Sequence, residues 1–519
     1  DFIMDLRQQY IKRDRQIAKE YAQVTFDDDY IVKDNKPDIL KVICAAGDVL
    51  TEEIKTINEA VWISGRVNFY IIYRSDTGSM PERIDGMIPF QEKIFVDNLS
   101  ELNSVRVTGK IDDILVSIIN SRKVSVKGII SFEVTAEEME EFPITCGMEE
   151  GEKYQEKVSG QELLELRQMK HDVMRIKTEI QLPKAKGNIA NIICSYLDVR
   201  NLDKDLGQEK LTVRGEVCYC VIYQSEEGEM EWVDGMTSVT GDMKNDNPDF
   251  DLYWAKLNMT QQDIEAEMDY DREMRQLAIE LVFDVELESW KTERVEKLDD
   301  VYSLSENIEP DYTMEEISEL LIKNQAKCRI FETINLEQGQ DKILQICGAK
   351  SHANIERTSR CDHGVMVEGV LELHIMYITA DDGFPIAHRY EQLPFEQCVD
   401  VNAVTENTQI KLESDVEQIQ INLLDNMTYE IKAVVNINLL AIEKKQIEVI
   451  NAVKEIEEDE SQKGDIPGIV GYTTKPDETL WDVAKRYKTT IEKILEINDL
   501  KTDDIKGSEK IIIAKNVRI

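Results

Sequence analysis

Histidine is scarce in this chain: five occur in 519 residues, which leaves few general bases of the commonest type. Also missing are a glycine-rich Lys-Ser/Thr loop for nucleotide phosphates, an HExxH helix for zinc and a GxSxG nucleophile elbow. No apolar run is long enough to span a bilayer, since stretches such as Phe69 to Tyr73 and Val434 to Ile442 are short or broken by polar residues. Basic residues are the minority, 61 against 103 acidic ones, and the net charge of −42 repels phosphate backbones and anionic lipid surfaces. Nucleic acid and membrane insertion are therefore not expected, whereas a basic protein face or a neutral sugar is compatible with that field.

Nine cysteines are present, an odd number, and several lie inside apolar strand patterns, so they read as reduced thiols. The start, Asp1-Phe2-Ile3-Met4-Asp5-Leu6-Arg7, shows no export signal, and the expectation is a soluble cytosolic protein. Two groupings come nearest to a metal or redox site. Cys361-Asp362-His363 with His374 fits no familiar zinc spacing. Cys218 and Cys220 share one face of a strand and read as small packing residues. Trp62, Trp232, Trp254 and Trp290 suit core or rim packing better than glycan platforms.

What the chain has in abundance is self-similarity. Gly65-Arg66-Val67-Asn68-Phe69-Tyr70-Ile71-Ile72-Tyr73 returns as Gly215-Glu216-Val217-Cys218-Tyr219-Cys220-Val221-Ile222-Tyr223 and as Gly369-Val370-Leu371-Glu372-Leu373-His374-Ile375-Met376-Tyr377. A turn glycine follows each copy, at Gly78, Gly228 and Gly383. Upstream, Ile39 to Cys44, Ile189 to Cys194 and Lys342 to Cys347 occupy matching places. Downstream, alternating hairpins run from Val116 to Ile130, Ala266 to Val285 and Val416 to Leu440.

A unit of this size exceeds a solenoid repeat, so each copy is expected to fold around a private core as a β-sandwich or open-barrel-like domain. The division is a helical N-terminal segment over 1–24, β-rich repeats over 25–145, 178–290 and 331–452, helical or linker connectors over 146–177 and 291–330, an acidic linker over 453–467 and a small terminal module over 468–519. No set of catalytic residue types recurs at matching places in the three copies, which argues against an enzyme; no cofactor and no metal site are expected.

In the terminal module, Tyr472 lies in a short strand and Thr479 is the candidate N-cap of a helix carrying Val483, Ala484 and Tyr487. Ile491, Ile494 and Leu495 mark a second amphipathic helix, and Ile511 to Ile513 a closing strand. Tyr472, Pro476, Thr479-Leu480-Trp481, Ala484, Tyr487, Leu495, Asn498 and Leu500 resemble the LysM family, which implies a β-α-α-β fold and a groove for N-acetylglucosamine-containing glycans. Carried over, the partner- or glycan-binding positions are Asp477, Glu478, Thr479 and Leu480 on one lip and Ile497, Asn498, Asp499 and Leu500 on the other. Asp477-Glu478 stands where the family usually has Gly-Asp, and Ala514 where a proline usually follows the last strand. The bulkier acidic lip suits a basic protein surface better than a sugar ring.

Three β-rich repeats, an acidic linker and one LysM, together with the opening stretch Asp28 to Ile39, resemble the SipL family of spore coat morphogenetic proteins of clostridial-type endospore formers. The resemblance implies a non-enzymatic coat assembly protein in the mother cell cytoplasm, at the forespore surface. Its implied partner is the SpoIVA-type coat ATPase, bound through the LysM, with other coat proteins and weak peptidoglycan binding as further interactions. The alternative is a LysM protein attached to the cell wall through peptidoglycan.

Overall fold

The structure is a computed structural model that describes residues 4–456 except 79, 102, 341 and 384, then 468–503 and 507–514. The three repeats are built alike, each from six antiparallel strands in two three-stranded sheets. In repeat 1, β1 (Leu6–Ile31), β6 (Lys123–Met148) and β5 (Ser104–Asn120) form one sheet, with β6 in the middle. β2 (Ile39–Ile57), β3 (Ala60–Ser75) and β4 (Pro81–Phe95) form the other, with β3 in the middle. Repeat 2 matches it with β7 (Tyr154–Gln181), β12 (Met274–Ser303) and β11 (Leu252–Met268) against β8 (Ile189–Leu206), β9 (Lys210–Ser225) and β10 (Met230–Lys244). Repeat 3 does so with β13 (Ile308–Asn335), β18 (Thr428–Glu455) and β17 (Thr408–Asp425) against β14 (Ile343–Cys361), β15 (Gly364–Thr379) and β16 (Ile386–Asp400). The expected β-sandwich arrangement is what forms, and no barrel closes.

The recurring motif strands β3, β9 and β15 sit at the centre of their sheets because they are apolar on both faces. On one face, Val67, Phe69, Ile71 and Tyr73 enter the private core of repeat 1, with Val124, Ile130, Phe132 and Val134 of β6 opposite. The other face carries Tyr70 and Ile72 out of that core into a separate cluster shared by all three repeats, with Ile193, Cys194, Tyr196, Cys220 and Ile222 of repeat 2 and Cys347, Met376 and Ile386 of repeat 3. Structurally equivalent residues thus meet around a pseudo-threefold axis, and the chain is folded like a trimer within one polypeptide. Each fully buried aliphatic side chain there stabilises the junction by roughly 1.5–3 kcal/mol.

The glycines that open the first and third motifs have a steric reason. A Cβ at Gly65 would lie 2.2 Å from the Leu50 carbonyl oxygen, and one at Gly369 2.3 Å from that of Asn354. Both carbonyls flank a bulge in the neighbouring strand, between Thr51 and Glu53 and between Ile355 and Arg357. Phe90 and Phe395 cover the bare glycines from the third strand.

Three sequence expectations are corrected. The helical reading of 1–24 fails because Leu6–Ile31 is one strand, paired from Leu6 with Met148 to Ile31 with Lys123. The helical readings of 146–177 and 291–330 fail likewise: Tyr154–Gln181 pairs with β12, and Ile308–Asn335 pairs with β18. These segments are rich in helix formers, but partners more than 90 residues away in sequence impose extension. The far ends of the pairs β1–β6, β7–β12 and β13–β18 run on beyond the sandwiches as three two-stranded ribbons. The ribbons bury Ile11, Phe142, Ile144, Leu163, Val295 and Ile317 between them, and beyond these Met4, Met148, Leu298, Val301, Ile450 and Val453. The result is a three-sided prism whose tip carries the connections between repeats.

The third correction concerns the thiols. Cys361 and Cys398 form a disulfide, while the other seven cysteines are free. They lie on β14 and β16, the two strands flanking β15, where Cys361 pairs with Gly364 and Cys398 with Met366. Residues 457–467 of the acidic linker lie outside the described residues. The terminal module follows as β19 (Ile469–Thr473), α1 (Leu480–Tyr487), α2 (Ile491–Asn498) and β20 (Lys510–Ala514), with β19 antiparallel to β20.

Candidate functional site

Two regions qualify, the loops of the terminal module and the cleft where the repeats meet. The module folds around Leu480, Trp481, Val483, Ala484, Ile494, Ile511 and Ile513. Thr479 caps α1 as expected: its Oγ1 accepts from the Asp482 amide, and Asp482 accepts from the Thr479 amide at 2.9 Å. Thr490 caps α2 through the Lys493 amide. Both helices end on left-handed residues, Lys488 and Asp499.

The eight predicted positions divide by what their side chains do. Leu480 is core, and Leu500 packs against that core. Asn498 joins α2 to β20: its Nδ2 donates to the carbonyls of Ile494 at 2.8 Å and Ile512 at 2.7 Å, and its Oδ1 accepts from the Ile512 amide at 2.6 Å. Glu478 is turned inward and accepts from Tyr472 Oη at 2.9 Å, the Lys475 amide at 3.0 Å and Arg486 at 2.8 Å. Burial alone would raise its carboxyl pKa, but these partners outweigh burial and hold it below the usual range. Its charge is spent inside the module, so the acidic lip read from the sequence is reduced to Asp477. Asp477, Thr479, Ile497 and Asp499 are the four that remain exposed. Asp477 has φ 64°, a left-handed conformation that glycine adopts without strain.

The cleft at the junction of the repeats encloses about 1450 Å³ and is lined from all three, by Cys44, Tyr70 and Lys110, by Tyr196, and by His374 and His388. His374 Nδ1 lies 3.2 Å from His388 Nε2, and the His374 ring tilts against Tyr390 at 4.8 Å. Burial, with help from His388 and Lys350, pushes His374 down to about 4, so it is uncharged at neutral pH. The grouping of His374 with Cys361-Asp362-His363 does not form a site, because Cys361 is held in its disulfide. No group of three or more His, Cys, Asp or Glu among the described residues is arranged to hold a metal. Cys220 and Cys347 meet across the boundary of repeats 2 and 3, and burial keeps Cys44 and Cys194 protonated beside them. These thiols are packing groups, as expected for Cys220.

Trp254 and Trp290 are likewise buried, in a cluster with Leu440 and Ile442 that joins repeats 2 and 3. Ionic contacts across repeat boundaries went unseen in the sequence, because no spacing reports them. Arg106 of repeat 1 pairs with Glu286 of repeat 2, Lys411 of repeat 3 with Glu288 of repeat 2, and Arg13 of repeat 1 with Glu315 of repeat 3.

No helix among the described residues is long and apolar enough to cross a membrane. Residues 38–119 and 342–424 match the family described as SipL, SPOCS domain, and residues 472–513 match the LysM domain. The two SPOCS segments run from β2 to the end of β5 and from β14 to the end of β17, which are equivalent parts of repeats 1 and 3. No curated protein and no solved structure matches the chain. The chain is thus SipL-like in its arrangement, with two segments similar to the SPOCS domain of SipL ahead of a C-terminal LysM domain.

Proposed function

We propose that this is a non-enzymatic spore coat assembly protein of the mother cell, whose LysM binds the SpoIVA-type coat ATPase and helps to place coat around the forespore. The observation that carries the reading is the combination of SPOCS and LysM domains, both non-catalytic binding types, in one chain. Three features support a protein rather than a sugar as the ligand. Asp477 takes a usual glycine position, the exposed loop residues Asp477 and Asp499 are acidic, and the whole chain carries −42 charges that steer a basic partner toward it. The three repeats act as the platform, held together by the axial cluster and the prism.

Co-purification tests it. A chain lacking 468–519 should lose the SpoIVA-type partner, and undiminished capture would remove the LysM from the role assigned to it. The LysM match itself favours a second reading, peptidoglycan binding. Retention on purified peptidoglycan that persists at high salt would favour sugar, because acidic loop contacts to a protein weaken with salt.

A further inference from the structure

The LysM is not suspended on its linker in this structure. One face of α1 sits on the tip of the prism, against the end of β12 and the connection to β13. Trp481 stacks edge-on to Tyr302 with ring centroids 4.9 Å apart, and its indole Nε1 donates to Asp300 at 2.8 Å. Lys485, one turn further along α1, donates to both oxygens of the same carboxylate at 2.6 and 2.8 Å. Tyr302 Oη donates to the Thr489 carbonyl at 2.7 Å, in the turn between the helices, and Lys488 donates to Asn307. Tyr302 is as much a member of the LysM core as of the prism, for it is buried with Leu480, Val483 and Ile494.

We propose that the α1 face of the LysM is an internal docking surface whose partner is the prism tip, and that this seat presents the module as a rigid head in one orientation. Trp481 and Lys485 are then positioning residues committed to Asp300 and Tyr302, and the surface left for an outside ligand is the one bearing Asp477, Thr479, Ile497 and Asp499, all exposed with the seat closed. Recognition does not require release.

The tether makes such a seat effective. Twelve residues separate Glu455, the end of β18, from Gly468. A linker of this length gives an effective concentration on the order of millimolar, so a contact with a dissociation constant of about 50 µM between separate molecules would be closed about 95% of the time. The seat needs no partner, so its test is separate from the assigned coat function.

The experiment is methyl relaxation on the isoleucines Ile494, Ile511 and Ile513 of the perdeuterated full chain. In the wild type they should share the rotational correlation time of prism methyls such as Ile144 and Ile450. Asp300→Ala with Tyr302→Ala should release the module and shorten that time at least twofold. Lys485→Glu, which reverses the charge facing Asp300 and leaves the prism untouched, should do the same and guards against a misfolded tip. A LysM that already tumbles independently in the wild type, or one that stays coupled to the prism in both variants, overturns the proposal.

Discussion

Gly348 of repeat 3 lies directly against Cys220 of repeat 2, so closely that a Cβ at 348 would stand 2.6 Å from the Cβ of Cys220 and 3.3 Å from its Sγ. The first of these distances cannot be relieved by rotating a flexible side chain, so the two strands must separate. Gly348→Ala should therefore cost about 1–3 kcal/mol by overpacking and lower the melting temperature. Adding Cys220→Gly should restore part of the loss. Identical melting of Gly348→Ala and wild type would show that the repeats do not pack this tightly at the axis.

The same register explains how far the sequence could be read. Placed by strand pairing, Gly348 faces Met376 as Cys194 faces Ile222 and Cys44 faces Ile72, while Cys347 falls at the bulge with Ile193 and Ile43. Residue type alone matches Cys347 to Cys44 and Cys194, one position out of the register that strand pairing sets. The motif strands were legible because double-faced apolarity, as in Phe69-Tyr70-Ile71-Ile72, is local. What lay on the second face was not, since it consists of the other two copies.

Asp198 should be the costliest single polar residue at the boundary of repeats 2 and 3. Its carboxylate is 3% exposed and accepts from the Ser351 amide at 3.0 Å, Ser351 Oγ at 2.8 Å and Arg200 Nε at 2.6 Å. Burial pushes its pKa up, and Arg200 and Ser351 oppose that shift. Asp198→Ala leaves Arg200 largely buried without its counter-charge, and a loss of about 3–5 kcal/mol is expected in chemical denaturation. Asp198→Asn should cost less, and equal effects would mean that the charge is not what matters.

Helical misreadings at 1–24 and in the two connectors have one cause. Segments such as Asp5 to Tyr21 are dense in Arg, Gln, Lys and Glu, which favour helix locally. In the structure one side of each ribbon faces solvent and the other reaches the prism through sparse contacts such as Ile11 and Ile317. The strand period is therefore carried by few residues, and the decisive pairing, Leu6 with Met148 for example, is remote in sequence.

Asp415 should make stability pH-dependent in a defined window. Burial raises its carboxyl to about 6, against the pull of Asn436 and Lys204. An acid whose folded pKa exceeds its unfolded value of about 3.9 binds its proton more tightly when folded, so the penalty for ionising it is absent below pH 4 and complete above pH 6. Its contribution to stability therefore falls as pH rises through that interval. Asp415→Asn should remove this slope and stabilise the chain at pH 7 by on the order of 2–3 kcal/mol. Parallel stability profiles of variant and wild type between pH 4 and 7 would contradict the assignment.

In the LysM, the structure separates positions that hold the fold from positions free to recognise, and the two classes should respond differently. Asn498→Ala deletes two hydrogen bonds between α2 and Ile512 of β20 and a third to the Ile494 carbonyl within α2, each worth about 1 kcal/mol. It should unfold or loosen the module, and any loss of binding would report on the fold. Asp477 and Asp499 have φ of 64° and 49°, a region that asparagine tolerates, so Asp477→Asn with Asp499→Asn removes two exposed charges without straining the backbone. Stability of this double variant should stay within about 0.5 kcal/mol of wild type per substitution, while capture of a basic protein partner falls and becomes less sensitive to salt. If capture and its salt dependence are both unchanged, the acidic loops do not touch the partner, and contact must be sought around Ile497 instead.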